Sequence, residues 1–391
     1  MKKIYKQVKI HPFYYDRWIM ASVLLLLAMG LLMVASASMV VSDKQFGYPF
    51  HYIIHQAFYL LIGLFLMFFC TRVPMSYWQK ISSVLFLIAL FLLVIVLIPG
   101  VGRVVNGSRR WLNFGVITLQ VSEIMKFCAI LYLASYLERF QNQVRTEFIG
   151  FLKPMVLLGV ICILLLLEPD FGAATIITVT FMALLFISGV RIWPFVVLLL
   201  LVAAAMALLA VVSPYRMQRI TTFLNPWSHA FGSGYQLTQS LIAFGRGGVL
   251  GVGLGNSVQK LFYLPEAHTD FLFAVLGEEL GMLGELFIII LFVILVGRML
   301  RIGFNAQQKS QFFSSYLVFG LAFWIGLQAL VNMGVNCGLL PTKGLTLPFM
   351  SYGGSSMLIN FVLIGVVMRI SYEISFVDDK ISSFCHRRLD Y

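Results

Sequence analysis

Residues 264–284 read LPEAHTDFLFAVLGEELGMLG and run directly into the apolar stretch ELFIIILFVILVG at 285–297. A run of this length crosses a bilayer as a helix, because a backbone in lipid must satisfy its own hydrogen bonds. The pattern therefore predicts a membrane helix that begins near His268. Asp270 would lie at its polar end, and an ionisable residue is costly in that position, so Asp270 is a candidate functional residue.

Similar apolar segments recur along all 391 residues, which are 60% hydrophobic and 11% charged. A soluble domain is roughly 25% charged. The composition predicts an all-α, polytopic integral membrane protein with one membrane domain at 18–372, between a basic tail at 1–17 and a short tail at 373–391. About ten transmembrane helices are expected, at 18–40, 51–70, 80–98, 118–138, 152–168, 171–188, 192–212, 268–297, 312–335 and 346–371.

The distribution of charge predicts the orientation of these helices. With the N-terminus in the cytoplasm, inner segments carry twice as many lysines and arginines as outer segments, which places both tails inside. The net charge of +12 is that of a membrane protein facing anionic headgroups, and nucleic acid is not an expected partner. The five cysteines show no paired spacing, so we expect free thiols and no metal site.

Most cations of the outer face lie in two loops, at 99–117 and in a large loop at 213–267 between spans seven and eight. An anionic ligand would explain these clusters, although long exported loops also tolerate positive charge. The segment before the last span contributes a further lysine and a small polar patch. The candidate ligand-binding side chains are Arg109, Arg110, Arg216, Gln239, Arg246, Lys260, His268, Thr269, Lys343 and Ser351.

Helical spacing from Asp270 places Glu278 and Glu285 within about 80° of it, together with Gly277 and Gly281. Two glycines on one stripe permit close approach of a neighbouring helix. We interpret Glu278 as a structural partner for a cation and Asp270 as functional. No pattern of a Ser-His-Asp hydrolase, a zinc protease or a nucleotide-binding loop is present, so the residues alone indicate an outer-facing membrane site for a phosphorylated lipid.

Four motifs then resemble the shape, elongation, division and sporulation (SEDS) family of bacteria. They are NGSRRWLNFG at 106–115, GSGYQLTQSLIAFGRGG at 232–248, GLGNSVQKLFYLPEAHTDFLFAVLGEELG at 253–281 and LLPTKGLTLPFMSYGGSS at 339–356. The resemblance extends from about residue 17 to 373 and is closer to the division branch than to the elongation branch. The essential aspartate of the family falls on Asp270. Its Pro-Asp-x-Gly turn falls on Pro169, Asp170 and Gly172, and Glu168 stands where many relatives carry Gln.

This resemblance implies a peptidoglycan glycosyltransferase that polymerises lipid II on the outer face of the inner membrane at the division septum. It also implies a class B penicillin-binding protein and other division membrane proteins as partners. The expected mechanism uses Asp270 as general base on the acceptor 4-hydroxyl, with cations such as Arg110, Arg246 and Lys343 stabilising the leaving pyrophosphate. No cofactor is required, although a divalent cation (Mg or Mn) could assist at the pyrophosphate. A lipid II flippase, an elongation-type polymerase and a non-catalytic scaffold are the alternatives.

Overall fold

A computed structural model describes residues 15–105, 108–113, 115, 118–212 and 214–389. Residues 1–14 of the predicted basic tail at 1–17 lie outside the described residues. The helices are α1 (Arg17–Phe46), α2 (His51–Arg72), α3 (Met75–Leu97), α4 (Val121–Arg139), α5 (Gln141–Thr146), α6 (Phe148–Leu167), α7 (Phe171–Ile187), α8 (Ile192–Val212), α9 (Pro214–Leu224), α10 (Tyr235–Gly247), α11 (Leu272–Gln308), α12 (Phe312–Asn336) and α13 (Gly354–Leu389). A short 3-10 turn follows α9 at Pro226–His229.

The all-α membrane fold is confirmed, since each predicted span overlaps a helix. Within the described residues, seven helices are long and apolar enough to cross a membrane: α1, α2, α3, α6, α11, α12 and the 354–375 part of α13. The shorter α7 is also apolar. The molecule is therefore a multi-pass membrane protein, while the count of ten crossings stays a prediction.

The first basic loop contains a small sheet that the sequence analysis did not predict. Its strands are β1 (Arg103–Val105), β2 (Ser108–Asn113) and β3 (Thr118–Gln120), and β2 pairs antiparallel with both neighbours. The main-chain nitrogen of Gln120 donates to Ser355 Oγ at the start of α13, at 2.8 Å. This bond attaches the sheet to the helix bundle, so Arg109 and Arg110 are held at a fixed position at its rim.

The centre of the bundle is formed by α4 and α12, which contact each other and α7. Nearly all of α4 is buried although it is not strongly apolar. Lys126 donates to Glu123 at 2.7 Å and to Gln328 on α12 at 2.9 Å. Buried charges are tolerated when they are paired in this way.

Among the helix boundaries that differ from the prediction, two concern the site. Helix α11 begins at Leu272, so Asp270 lies in the loop just before it. The helix is also interrupted at Gly281, whose φ of 63° is a left-handed conformation that glycine adopts without strain. Glu285 is therefore not on one continuous helical stripe with Asp270. Helix α13 begins at Gly354, which leaves most of the 337–353 segment irregular.

Candidate functional site

Asp270 is held in place through its main chain by two asparagines on α12. The side-chain amides of Asn332 and Asn336 both donate to the main-chain oxygen of Asp270, at 2.8 and 3.0 Å. Asn336 also accepts from the main-chain nitrogen of Ala274 in the first turn of α11, at 3.2 Å. Residues four apart share one face of a helix, so a single face of α12 fixes both Asp270 and the start of α11.

The carboxylate of Asp270 lies against the irregular segment that precedes α13. A Cβ atom added to Gly344 would lie 2.9 Å from Asp270 Oδ2, so only glycine fits there without displacing the carboxylate. Asn332 links the same two segments, because its amide also donates to the main-chain oxygen of Leu345, at 2.5 Å. Lys343 directly precedes Gly344, the residue that lies against the Asp270 carboxylate.

Lys343 extends from this segment to the start of α7. Its ammonium lies 3.3 Å from Thr175 Oγ1 and 4.4 Å from the centroid of the Phe171 ring. Gly172 permits this packing, since a Cβ there would lie 2.9 Å from the side chain of Leu345. Asp270, Lys343 and the start of α7 thus form one cluster, which we call the Asp270 site.

The turn between α6 and α7 leads directly into the start of α7. Asp170 caps α7 by accepting from Ala173 N at 3.0 Å, and it also accepts from Ser122 Oγ at 2.9 Å. Arg110 donates to the main-chain oxygens of Glu168 and Pro169, at 3.0 and 2.6 Å. These contacts are consistent with the support role predicted for the Pro169–Gly172 turn. Two of the Arg110 guanidinium nitrogens are engaged in bonds to this turn.

Glu168 in this turn is fully buried, and neither of its carboxyl oxygens has a hydrogen-bond partner among the described residues. Burial raises the pKa of Glu168 to about 8, the Asp170 carboxylate adds to the rise, and Arg110 partly offsets it. The side chain therefore carries its proton at neutral pH.

The predicted pyrophosphate role of Lys260 needs correction. Its ammonium is buried and bonds to Glu279 Oε1 at 2.7 Å and to Ser36 Oγ on α1 at 2.8 Å. Sequence reasoning counted the positive charge but did not identify this internal partner. Lys260 fastens the large loop to α1 and α11 instead of facing the Asp270 site.

Arg246 and Glu278 form a second attachment of the large loop. The guanidinium lies 3.2 Å from Glu278 Oε1, and it remains 43% exposed while the carboxylate is fully buried. Glu278 also accepts from Ser257 Oγ and from the main-chain nitrogens of Val258 and Gln259, the latter two at 3.0 and 3.2 Å. These contacts agree with the structural role expected of Glu278, and the exposed face of Arg246 still points to solvent.

The remaining predicted residues occupy varied positions. Ser351 is buried and its hydroxyl accepts from Leu347 N at 2.9 Å, which stabilises the turn before α13. Thr269 donates to Glu266 Oε2 at 2.7 Å. Arg109 on β2 and Gln239 on α10 are partly exposed. The side chain of Arg216 lies outside the described residues.

His268 lies two residues before Asp270, and its main-chain oxygen accepts from Tyr352 N at 3.0 Å. Burial lowers the pKa of the imidazole, so the ring is neutral at physiological pH. Its Nδ1 atom is buried and has no hydrogen-bond partner among the described residues.

Sequence reasoning did not identify three polar residues of α12 whose side chains bond to the segments of the site. They are Asn332, Asn336 and Gln328. The Gln328 amide donates to Thr346 O at 3.0 Å, and its side-chain oxygen accepts from buried Lys126. The available signal was the polar series at 328, 332 and 336, four residues apart in an otherwise apolar helix. Polar side chains on one face of a membrane helix face the protein interior or a cavity.

Comparison with known proteins identifies the family. A family model described as "Cell cycle protein", of the FtsW, RodA and SpoVE type, matches residues 16–375. The chain is 64% identical over 359 residues to a "Probable peptidoglycan glycosyltransferase FtsW" of Coxiella burnetii, covering 92% of this chain and 96% of that protein. It is 56% identical to the protein of the same name from Legionella pneumophila, covering 92% of this chain and 91% of the relative.

Solved structures agree with the sequence comparison. RodA of Thermus thermophilus is 26% identical with a TM-score of 0.68, over 91% of this chain and 96% of RodA. A chain from a structure described as "Structural coordination of polymerization and crosslinking by a peptidoglycan synthase complex" is also 26% identical, with a TM-score of 0.77, over 92% of this chain and 98% of that one. The resemblance to the SEDS family is thereby confirmed: the chain belongs to the FtsW/RodA/SpoVE family and is most similar to FtsW proteins.

Proposed function

We propose that this protein is a peptidoglycan glycosyltransferase that polymerises lipid II into glycan strands, with Asp270 as its general base. The relatives that share most of its sequence carry the name peptidoglycan glycosyltransferase FtsW. The observation that carries the assignment of the base is the position of the Asp270 carboxylate, which lies against Gly344, one residue from Lys343.

In the proposed reaction, the acceptor 4-hydroxyl attacks the anomeric carbon of a second lipid-linked saccharide. A carbon–oxygen bond forms there as the bond to the pyrophosphate oxygen breaks, and the hydroxyl proton passes to Asp270. The polyprenyl pyrophosphate leaves with the electron pair of the broken bond. Because the displacement is direct, an α-linked donor yields a β-linkage. One carboxylate is sufficient because pyrophosphate leaves readily without protonation, unlike the sugar hydroxyl in glycoside hydrolysis.

Lys343 is the cation best placed to stabilise the leaving pyrophosphate, because it belongs to the segment that contacts Asp270. Arg109 and the exposed face of Arg246 are the next candidates, whereas Lys260 is engaged in its buried ion pair. Among the described residues no group of three or more His, Cys, Asp or Glu side chains is arranged to hold a metal ion. We therefore propose that a divalent cation (Mg or Mn), where one assists, is carried mainly by the pyrophosphate oxygens.

The proposed partners and location follow from the relatives. A chain of the same fold belongs to a peptidoglycan synthase complex that couples polymerisation and crosslinking. We propose a class B penicillin-binding protein, a transpeptidase, as the partner here, together with other division membrane proteins. The FtsW names of the relatives favour the division septum of the inner membrane over the elongation role of RodA-like proteins. The distribution of lysine and arginine supports cytoplasmic termini.

The test is polymerisation of labelled lipid II by the purified protein with its partner transpeptidase in detergent. Asp270→Asn should abolish polymer while retaining lipid II binding, and Asp43→Asn, an exposed acid at the end of α1, should polymerise like the wild type. Polymer formation by Asp270→Asn would remove its role as base. Absence of polymer from the wild type would favour a flippase, because detergent offers no two sides between which a lipid is moved.

A further inference from the structure

Three aromatic rings from three distant segments meet at His268, two residues before Asp270. Tyr52 is at the start of α2, His268 lies before α11, and Tyr352 lies before α13. The ring centroids of Tyr52 and His268 are 4.5 Å apart, those of Tyr52 and Tyr352 are 5.0 Å apart, and those of His268 and Tyr352 are 5.8 Å apart. All three residues are partly exposed, so the cluster presents a ring surface at the bundle rim.

Polar groups border this ring surface. Tyr52 donates its hydroxyl proton to Gln45 Oε1 at 2.7 Å, and both of these residues are accessible from outside. The exposed carboxylate of Glu266 interacts electrostatically with Tyr52 and with His268. The buried Nδ1 atom of His268 has no hydrogen-bond partner among the described residues, although buried polar atoms are normally bonded. Packing between the aromatic rings does not explain this missing partner.

The side chains of the cluster indicate which class of ligand it could bind. The residues include two aromatic phenols, an imidazole, an amide and a carboxylate, and no lysine or arginine. A phosphate would be repelled by Glu266, so the pyrophosphate belongs with Lys343 and not here. β-Linked N-acetyl sugars present flat apolar C–H faces with hydroxyl groups at their edges. An aromatic surface with a few polar acceptors at its border matches both features.

We propose that Tyr52, His268 and Tyr352 form a subsite for the sugar rings of the growing glycan strand. The inference rests on the proposed polymerase function and extends it. The subsite begins two residues from Asp270, and Tyr352 N donates to His268 O, so the ring surface is joined to the segment that carries the base. Sugars stacked there would hold the strand while successive units are added at Asp270.

Binding is tested first, with a probe that has neither lipid nor phosphate. The probe is a soluble β-1,4-linked N-acetylglucosamine oligomer, titrated calorimetrically into the full chain in detergent. Wild type should bind it, and Tyr52→Ala and Tyr352→Leu should each weaken binding by about tenfold, because each removes one stacked ring. Tyr52→Phe keeps the ring and should bind almost as wild type does. Tyr263→Ala removes an exposed tyrosine elsewhere in the large loop and should bind like the wild type.

Polymerisation with the partner transpeptidase then separates the two proposals. Tyr52→Ala should make shorter strands and raise KM more than it lowers kcat, whereas Asp270→Asn should make no polymer yet still bind the oligomer. Wild type that polymerises lipid II but does not bind the oligomer, or Tyr52→Ala strands of wild-type length, would overturn the subsite and leave the polymerase intact. Oligomer binding without wild-type polymer would overturn the polymerase and support the sugar site alone.

Discussion

The side-chain amide of Asn332 bonds to the main-chain oxygen of Asp270 at 2.8 Å and to that of Leu345 at 2.5 Å. One buried amide therefore sets the distance between the candidate base and the segment that carries Lys343. We predict that Asn332→Leu, which leaves both carbonyls without this donor, lowers kcat by at least about tenfold, because small displacements of catalytic groups are costly. The measurement is lipid II polymerisation at saturating substrate.

A matched control for this substitution is Asn305→Leu, which changes an exposed asparagine on α11. It should leave kcat at the wild-type value. Equal kcat for Asn332→Leu and wild type would show that α12 does not position the base.

Gly344 provides a second test of the same geometry. Gly344→Ala places a Cβ 2.9 Å from Asp270 Oδ2, so the carboxylate must move. We expect a fall in kcat of about tenfold or more with little change in the thermal unfolding midpoint, since the segment is partly exposed. Gly159→Ala on α6 is the control, because no atom lies within 4 Å of a Cβ there and alanine favours a helix. Activity of Gly344→Ala equal to that of Gly159→Ala would contradict the proposed site.

Glu278 should matter more for structure than for chemistry. Its buried carboxylate accepts from Arg246, from Ser257 and from two main-chain nitrogens, so Glu278→Leu leaves all of these donors unpaired. A buried donor left without an acceptor typically costs about 1–3 kcal/mol. Arg246→Gln should cost less, because the Glu278 carboxylate still accepts from Ser257 and from two main-chain nitrogens. Limited proteolysis within residues 248–260 reports the difference, and equal cleavage rates for the two variants would refute it.

The helices of this protein could be predicted from the sequence, because apolar runs long enough to span a membrane form helices there. Asp270 could be predicted as a candidate functional residue for a related reason, since a carboxylate at the end of an apolar run is costly and usually has a functional role. The sheet at 103–120 was not predicted, because its strands are short and rich in arginine. Lys260 was misassigned because its partner Glu279 lies 19 positions further along the chain, and nothing local indicates which cation is buried. Asn332 was missed because an amide acquires its role only from the carbonyls that the fold brings to it.

Glu168 predicts how stability depends on pH. Its carboxyl titrates near its ordinary pKa of 4.5 when unfolded, and at about 8 when folded. Between these values the folded state holds a proton that the unfolded state has lost, so the free energy of unfolding falls as pH rises from about 5 to about 8. Glu168→Gln keeps the shape of the protonated side chain without titrating. We therefore expect its unfolding midpoint to fall less than that of wild type over this range, and the two midpoints to agree near pH 5. Thermal unfolding in detergent measures the difference, with Asp43→Asn as the control. If the unfolding midpoints of wild type and Glu168→Gln changed equally with pH, the Glu168 carboxyl would already be ionised in the folded protein at neutral pH.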